Sequence, residues 1–451
     1  MKIEINNKIE IFNASAHFTH AVCERLTFTN PQWLGNDKRG FSNWQTPRLL
    51  RFYEETGNGL IIPRGFTGQL IAMARSAGIK FQIDDQRRIL PEVGFSFTGT
   101  LRPFQEEATI IMRKKDFGTL SAPTGSGKTV MALYMIAERK QPALIVVHTK
   151  ELLNQWINRA ETFLGIPSDD IGVIGSGKHT IGKVTVALVQ SLFKCAAEVA
   201  PYIGHLIIDE CHRAPSRTFT EAVTAFDSRY MLGLSATPWR RDKLSRLIFW
   251  FIGDVVHLID SADLIESGDI LRAEVITRET DFQTSYDPSA QYSKMLSELT
   301  EDRERNIFIA LDVVHEAKNG GGICLVLSDR KNHCETLQEI LNNDFNISAE
   351  LLTGDIADGK RKDVVKRLNE GDIRVLIATG QLIGEGFDLP EMQTLFLTTP
   401  IKFTGRVLQY LGRVLRSAPG KDKATVYDYV DSRIGVLGAA AKSRAKVYEK
   451  N

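Results

Sequence analysis

The stretch SAPTGSGKTV, residues 121–130, combines the residue types that bind a polyphosphate. An apolar segment, GTLSA, leads into it, and the helix-like KTVMALYMIAE follows. Glycines allow backbone N–H groups to converge on phosphate oxygens, and a helix N-terminus adds partial positive charge. In this pattern Lys128 reaches the β- and γ-phosphates, and the hydroxyl of Thr129 holds Mg²⁺. The sequence therefore predicts a nucleoside triphosphate site, although the strict pattern begins with glycine where this chain has Ala122. Its other loop residues are Pro123, Thr124, Gly125, Ser126 and Gly127.

Two adjacent carboxylates, Asp209 and Glu210, follow the apolar segment HLII further along the chain. Open α/β sheets bind ligands at the carboxyl ends of their strands, which is where this pair is predicted to lie. We expect Asp209 and Thr129 to hold Mg²⁺, and Glu210 to polarise the attacking water as a general base. Such a pair is common by itself, but its position after the phosphate loop favours the catalytic interpretation. Cys211 and His212 have no further ligands nearby in the sequence, so we expect no metal site there.

Short apolar runs alternate with helix-like segments from about residue 118 onward. Runs rich in Val, Ile and Leu on both faces are typical of parallel strands covered by helices. Two sets of such runs predict an α/β fold with two tandem parallel-sheet domains. The predicted strands are 143–148, 184–189, 205–209 and 231–236 in the first domain, and 323–328, 374–379, 394–399 and 424–430 in the second.

The first 95 or so residues differ, because they contain many turn signals and no alternation of strand and helix patterns. They predict a small α+β domain. We therefore divide the chain into an N-terminal accessory domain, 1–95, that binds duplex DNA, a first α/β domain, 96–240, and a second, 301–451. The interval 241–300 has no strong pattern and is interpreted as a linker with edge elements.

Composition excludes several classes of protein. The 451 residues carry a net charge of +1, so nucleic acid can be attracted only by local basic grooves. The five cysteines form no CxxC pair, so neither a zinc site nor a disulfide framework is indicated. No apolar run approaches the ~18 residues of a membrane helix, and the start, MKIEINNKIE, lacks the apolar core of a signal peptide. We expect a cytoplasmic protein, in the host cytoplasm if a phage encodes it, with neither a membrane nor a disulfide partner.

Several motifs occur in a fixed order between residues 98 and 432, and this order resembles the superfamily-two helicases and translocases. The segments that carry the resemblance are LRPFQ (101–105), the phosphate loop, VVHTKELLNQW (146–156), VALVQSL (186–192), IIDECH (207–212), GLSATP (233–238), LLTGD (351–355), ATGQLIGEGFDLP (378–390) and QYLGRVLR (409–416). Six or more motifs in the correct order make this resemblance highly specific. It implies two RecA-like domains that use ATP and Mg²⁺.

The resemblance also implies individual roles at the nucleotide. Gln105 is expected to read the adenine, and Gly386 and Asp388 to contribute to the nucleotide site from the second domain. Arg413 and Arg416, three positions apart on one helix face, would act as arginine fingers on the developing γ-phosphate charge. Because those fingers belong to the other domain, cleft closure and hydrolysis would be coupled.

Contacts to the phosphate backbone of a nucleic acid carry no sequence information. The resemblance implies such contacts at Thr149, Lys150, Gln190, Ser191, Thr353, Gly354 and Thr379. In the N-terminal region, NPQWLGNDKRGFSNWQTPRLLRFY mixes aromatic and basic residues in a way suited to base stacking and phosphate contact. The candidates there are Lys38, Arg39, Arg48, Arg51 and Trp44, and a core position for Trp33 and Trp44 is the main alternative.

The motif set favours DNA as the substrate. RNA helicases of the DEAD type have DEAD in place of DECH and an upstream glutamine motif that is not found here. The combination is closer to a group containing XPB-like helicases, restriction-enzyme motor subunits and phage branch-migration helicases of the UvsW type, and it most resembles the last. We therefore expect a monomeric motor that remodels forked DNA and Holliday-type junctions by duplex translocation and branch migration. The alternatives are an RNA helicase, the motor subunit of a nuclease complex and a non-hydrolysing ATP-binding switch.

Overall fold

The computed structural model of the chain describes residues 1–213, 217–236, 244–354, 356, 358–380, 391–401, 404–416, 421 and 423–449. The side chains of Arg213, Arg217, Asp358, Thr404, Gly405, Arg406, Gln409 and Arg413 also lie outside this description. The chain divides into two compact units. Unit 1 comprises Met1–Ala122 and Gly127–Ile259, and unit 2 comprises Pro123–Ser126 and Asp260–Asn451.

Strands of unit 1 form a small N-terminal sheet, a two-stranded antiparallel sheet and a large, mostly parallel sheet. They are β1 (Lys2–Ile5), β2 (Lys8–Phe12), β3 (Thr27–Thr29), β4 (Leu49–Arg51), β5 (Glu54–Thr56), β6 (Gly59–Pro63), β7 (Gln82–Asp85), β8 (Phe117–Ser121), β9 (Ala143–Val147), β10 (Gly172–Gly175), β11 (Lys178–His179), β12 (Val184–Leu188), β13 (His205–Ile208), β14 (Tyr230–Ser235) and β15 (Val255–Leu258). Its α-helices are Ala16–Arg25, Pro31–Lys38, Thr67–Ser76, Pro103–Arg113, Lys128–Arg139, Lys150–Leu164, Val189–Leu192, Ala196–Val199, Arg217–Thr224 and Ser245–Ile252.

Unit 2 has one parallel sheet. Its strands are β16 (Ala273–Glu279), β17 (Ile323–Ser328), β18 (Ala349–Leu352), β19 (Val375–Thr379), β20 (Met392–Leu397) and β21 (Ala424–Val430). Its α-helices are Ser261–Glu266, Tyr292–Glu301, Arg303–Asn319, Lys331–Glu339, Asp358–Asn369, Thr404–Val414 and Gly435–Tyr448, with a π-helical segment at Ile340–Asp344. Among the described residues, no helix is both long and apolar enough to cross a membrane.

The large sheet of unit 1 has the order β11-β10-β12-β9-β13-β14-β8-β15. Every pair is parallel except β10 with β11. Strands β9 and β12, ALIVV and VTVAL, are buried along their whole length because helices cover both faces of the sheet. The predicted α/β fold is confirmed, and the four predicted strands of this domain are each found to within one residue at either end.

The sheet of unit 2 has the order β16-β21-β20-β17-β19-β18, parallel throughout. Its central strand, β17, has the sequence ICLVLS and is buried at all six positions. The predicted strands of this domain are confirmed to within two residues, whereas the edge strands β16 and β18 were not predicted. Both unpredicted strands lie at a margin of the sheet, and β16 alternates between exposed and half-buried positions over most of its length, so neither reads as a continuous apolar run.

The N-terminal sheet, order β5-β6-β2-β1-β7, has a core that includes part of a later helix. Ile3, Ile9 and Ile62 are buried in one cluster with Leu247 and Trp250 from helix Ser245–Ile252. The indole of Trp250 contacts three phenylalanine rings. Their centroids lie 5.8 Å away for Phe28, 5.5 Å for Phe52 and 6.5 Å for Phe66. The N-terminal sheet therefore depends on a helix more than 150 residues further along the chain.

A buried arginine strengthens this attachment. The guanidinium of Arg64 donates to the carbonyl of Ser228 at 2.8 Å and to the sulfur of Met231 at 3.3 Å, and burial lowers the pKa of Arg64 to about 10. The next residue, Gly65, packs so tightly against the helix that a Cβ there would lie 2.5 Å from the carbonyl oxygen of Phe249. Only glycine fits at that approach.

We predict that Trp250→Ala lowers the free energy of unfolding of unit 1 by ~3–5 kcal/mol, the usual cost of removing a buried aromatic side chain. Trp44→Ala is the matched control, because Trp44 is 89% exposed and its loss should change stability by no more than ~0.5 kcal/mol. Urea unfolding followed by far-UV circular dichroism measures both. Equal effects of the two substitutions would contradict a core completed by Trp250.

Candidate nucleotide and nucleic-acid site

The parallel strands of unit 1 bring the candidate residues to one edge of the sheet. In sheet order, the carboxyl ends of β12, β9, β13, β14 and β8 lead into Val189, His148, Asp209, Ala236 and Ala122. Backbone hydrogen bonds join neighbouring ends: Asp209 N donates to Val146 at 3.0 Å, and Ala122 N to Ser235 at 3.0 Å. The candidate nucleic-acid residues thus follow β12 and β9, and the candidate nucleotide residues follow β13 and β8.

The phosphate loop has the backbone that its glycines predict. Gly125 and Gly127 have φ values of +92° and +81°, a left-handed conformation that side chains other than glycine rarely adopt. Helix Lys128–Arg139 begins directly after them. The amine of Lys128 donates to the carbonyl of Ala122 at 2.9 Å, which folds the lysine back over the loop. Thr129 is half-buried in the first turn of the helix.

Gln105 lies against this loop. It is buried in helix Pro103–Arg113, where its side-chain oxygen accepts from the backbone N–H of Arg102 at 3.0 Å. A Cβ on Gly127 would lie 2.4 Å from the Gln105 amide nitrogen, so the two residues are in direct contact. The structure thus brings the predicted adenine-reading residue to the phosphate loop.

Asp209 is a buried carboxylate held by two donors. The indole N–H of Trp156 donates to its Oδ2 at 2.8 Å, and the backbone N–H of Glu210 donates to its Oδ1 at 2.9 Å. Burial, together with the charge of Glu210, raises the pKa of Asp209 to about 6, and the Trp156 hydrogen bond and the Lys128 amine oppose that rise. A cation at the loop would therefore stabilise its ionised form.

Glu210 has a backbone φ of +49°, which is uncommon for a residue with a side chain. Its carboxylate lies 3.1 Å from Nδ1 of His212, and the same nitrogen lies 3.2 Å from the hydroxyl of Ser235. The carboxylate after β13 is thus connected to the end of β14. Strained backbone of this kind is concentrated at functional sites.

These residues fit a magnesium nucleotide. Mg²⁺ prefers oxygen ligands and is typically held by one or two carboxylates together with substrate phosphates. The buried carboxylate of Asp209 and the hydroxyl of Thr129 supply such oxygens, and the left-handed glycines open the loop for phosphate. The donor set therefore suits Mg²⁺ better than zinc, which favours sulfur and nitrogen ligands.

The candidate nucleic-acid residues of unit 1 are accessible to differing degrees. Thr149 is half-buried and caps helix Lys150–Leu164, its hydroxyl accepting from the N–H of Leu152 at 3.3 Å. Lys150 and Gln190 are exposed, and Ser191 is half-buried. All four lie at the carboxyl ends of the neighbouring strands β9 and β12.

In unit 2, the same geometry brings Thr353, Gly354 and Thr379 together, because they follow or end the paired strands β18 and β19. Gly354 is exposed and Thr379 is half-buried. Thr353 is only 4% exposed and is therefore the least accessible of the three to a nucleic acid. Gly386 and Asp388 lie outside the described residues, as does the side chain of Arg413. Arg416 is half-buried, and its backbone bridges to that of Ile270.

Four candidate basic residues of the N-terminal region lie within or next to a loop, residues 39–48, that side-chain hydrogen bonds hold in place. The Asn30 side chain donates to the carbonyl of Pro47 at 3.0 Å, and the Asn36 side chain donates to that of Asn43 at 3.0 Å. The loop presents Trp44 and Phe41 to solvent, with exposed fractions of 89% and 61%. The exposed basic side chains beside it are Lys38, Arg39, Arg48 and Arg51. The core alternative for Trp44 is therefore wrong.

Trp33 behaves differently from Trp44. It is half-buried in helix Pro31–Lys38, and the guanidinium carbon of Arg48 lies 5.4 Å from the centre of its ring. One of the candidate phosphate-binding arginines therefore also helps to hold the loop by a cation–π contact.

Trp156 was not predicted to contribute to the site. The residue closes the segment VVHTKELLNQW, in which only Thr149 and Lys150 were given a role, as contacts to nucleic acid. An aromatic side chain with one N–H donor, on a helix that follows a neighbouring strand, was the available signal. Its carboxylate partner is 53 residues away in the chain and becomes apparent only from the strand order.

Comparison with known proteins supports the same interpretation. The family described as type III restriction enzyme, res subunit, matches residues 98–240, and the helicase conserved C-terminal domain matches residues 305–418. The DNA 3'-5' translocase XPB2 of Sulfurisphaera tokodaii is 28% identical over 72% of this chain and 79% of its own length. The ATP-dependent DNA helicase uvsW of Enterobacteria phage T4 is 22% identical over 96% of this chain and 90% of its own.

The chain belongs to the superfamily-two helicases of the XPB and UvsW type. It is an ATP-dependent helicase and therefore uses ATP and binds nucleic acid. Another relative of this helicase, from Acanthamoeba polyphaga mimivirus, is named as an ATP-dependent RNA helicase and is 27% identical over 88% of this chain and 76% of its own length.

A solved fragment of the HsdR subunit of a type I restriction enzyme from Vibrio vulnificus YJ016 shares the fold of this helicase. It superposes with a TM-score of 0.59 at 20% identity, over 77% of this chain and 66% of its own.

We predict that Glu210→Gln leaves ATP binding intact and slows hydrolysis by ~10²–10⁴-fold, the scale of general-base loss. An amide keeps the size of the side chain but cannot accept the proton of the attacking water. Binding of a fluorescent ATP analogue and steady-state turnover measure the two effects separately. If binding and turnover fell together, Glu210 would be a structural or metal-holding residue instead.

Proposed function

We propose that this helicase is an ATP-hydrolysing DNA translocase that remodels branched DNA, such as forks and Holliday-type junctions, by duplex translocation and branch migration. Lys128 binds the β- and γ-phosphates, and Glu210 accepts a proton from the attacking water. Thr129 and Asp209 would hold Mg²⁺, which neutralises phosphate charge when bound. Gln105 contacts the adenine, since its amide already lies beside the loop.

We assign the remaining nucleotide contacts to the second α/β domain. Arg413 and Arg416 lie three positions apart in the sequence and would stabilise the charge that develops on the γ-phosphate. Gly386 and Asp388 would complete the nucleotide site from the same domain. We assign both parts of the site to the same chain and propose that the motor acts as a monomer.

The observation that carries the DNA assignment is the loop of residues 39–48. Exposed apolar patches rimmed by polar residues mark interaction sites, and the loop exposes both Trp44 and Phe41 beside four exposed basic side chains. Aromatic rings that stack on bases and cations that contact phosphates are the usual equipment for nucleic acid. The loop belongs to the same compact unit as Lys128 and Asp209, so the proposed contacts to nucleic acid and to the nucleotide are made by one unit.

Names of relatives favour DNA without excluding RNA. Two of the three relatives described above are named for DNA, and one of these, the phage helicase, aligns with 96% of this chain. The mimivirus relative is named for RNA, which makes an RNA helicase the second candidate. The family that matches residues 98–240 includes restriction-enzyme motors, so a nuclease partner is a third.

Turnover on a panel of nucleic acids tests the proposal. ATP hydrolysis is measured with single-stranded DNA, duplex DNA, forked DNA, a four-way DNA junction and RNA, with Glu210→Gln as the inactive control. We expect forked and four-way DNA to stimulate hydrolysis most. Stimulation by RNA above that by every DNA form would favour the second candidate.

We predict that Arg39→Glu with Arg51→Glu weakens binding of forked DNA and reduces its salt dependence. When a phosphate contact is lost, binding releases fewer counterions, and the slope of log affinity against log salt becomes less steep by ~0.9 per contact. Arg48 is left unchanged because its guanidinium packs over Trp33. Fluorescence anisotropy at several salt concentrations measures the slope, and a four-way junction assay measures branch migration.

The matched control is Arg75→Glu with Lys80→Glu, the same change of charge at two exposed residues outside the proposed surface. Point substitutions are preferred to deletion of residues 1–95, since deletion would uncover the buried indole of Trp250. If both double variants bind DNA equally well, the loop is not a DNA contact.

A further inference from the structure

Trp156 joins the candidate nucleic-acid residues, which follow β9 and β12, to the candidate nucleotide residues, which follow β13 and β8. It is part of helix Lys150–Leu164, which follows β9, yet its indole N–H donates at 2.8 Å to the carboxylate that follows β13. Trp156 is 1% exposed and Asp209 is 8% exposed. Because both groups are buried, bulk water could not replace the indole as a hydrogen-bond donor to the carboxylate oxygen.

The two hydrogen bonds to Asp209 leave room for a metal ion. A carboxylate oxygen has two lone pairs, and the indole and the Glu210 N–H each use one, on different oxygens. The indole is rigid, and its helix is fixed by buried Leu153, Ala160 and Leu164. The donor therefore fixes the plane of the carboxylate. Removing donors that orient metal ligands typically weakens metal affinity by ~10–100-fold.

The same helix carries two of the candidate contacts to nucleic acid. Thr149 caps its N-terminus and Lys150 is its first residue, exposed to solvent. Trp156 lies seven residues beyond Thr149, which is ~10 Å along the axis at the usual rise of an α-helix. A small movement of the helix when a phosphate binds at its N-terminus would move the indole relative to the carboxylate.

We propose that Trp156 is a positioning residue that orients the Asp209 carboxylate for the magnesium nucleotide and links it, through helix Lys150–Leu164, to nucleic acid bound at Thr149 and Lys150. The orienting role depends on the nucleotide site alone. The link rests on the proposed function, because it requires a nucleic acid at the N-terminus of the helix. Coupling of this kind is reciprocal: nucleic acid alters the affinity for the nucleotide by the same factor as the nucleotide alters the affinity for nucleic acid.

The orienting role is tested with Trp156→Phe, which keeps an aromatic ring and removes the N–H. Affinity for a fluorescent non-hydrolysable ATP analogue is measured with Mg²⁺ and without it. We expect the affinity with Mg²⁺ to fall by ~10–100-fold and the affinity without Mg²⁺ to stay at the wild-type value. Trp250→Phe is the matched control, since it changes another buried tryptophan of the same unit and should leave both affinities unchanged.

Three results would overturn the orienting role. The first is a wild-type affinity with Mg²⁺ in Trp156→Phe. The second is an equal fall of the affinities with and without Mg²⁺, and the third is a Trp156→Phe protein that does not fold while Trp250→Phe does. In the second and third cases the indole would be only a core residue.

The link is tested by repeating the titration with Mg²⁺ in the presence of forked DNA and, separately, of RNA. We expect forked DNA to change the wild-type affinity for the analogue and Trp156→Phe to reduce that change toward none. A change retained in full by Trp156→Phe overturns the link, as does the absence of any change in the wild type with either nucleic acid. A response of the wild type to RNA alone would contradict the DNA assignment. The comparison of the wild type with Trp156→Phe in the presence of RNA would then decide whether the link exists.

Discussion

A buried negative charge is the constraint on which the rest of the site depends. Asp209 lies in the interior of unit 1, where burial raises the pKa of its carboxyl group to about 6. An ionised carboxylate is stable there only with donors and positive charge around it. The indole of Trp156, the N–H of Glu210 and the amine of Lys128 supply them, and a bound metal ion would supply more. Candidate residues for phosphate, metal and nucleic-acid binding therefore lie on elements that surround this one group.

Parallel strands make that assembly possible, because all their carboxyl ends point to the same edge. Sequence distance is then unimportant: β13 lies between β9 and β14, so a tryptophan after one strand and a serine at the end of the other both reach the segment after the middle strand. The N-terminal region is attached to the same unit by Trp250 and Arg64. The N-terminal sheet and the residues around Asp209 therefore belong to one compact unit.

Local patterns predicted those parts of the molecule that local physics determines. Buried parallel strands must be apolar along their whole length, so β9, β12, β13 and β17 were recognisable, as was the glycine loop before Lys128. Short edge strands such as β18 have no such requirement and were missed. The contacts of Trp156 with Asp209 and of Trp250 with Phe52 could not be predicted, because each joins residues far apart in the chain through an unknown strand or helix placement. The full exposure of Trp44 likewise depends on side-chain bonds within its loop.

We propose that the loop around Lys128 binds the triphosphate that drives this helicase. Turnover of ATP by Lys128→Ala, measured with forked DNA beside the wild type, tests it most directly, with the circular dichroism melting curve as the check on folding. We expect turnover to vanish while the melting curve and the nucleotide-free binding of DNA remain close to those of the wild type. Wild-type turnover in a folded Lys128→Ala protein would contradict it.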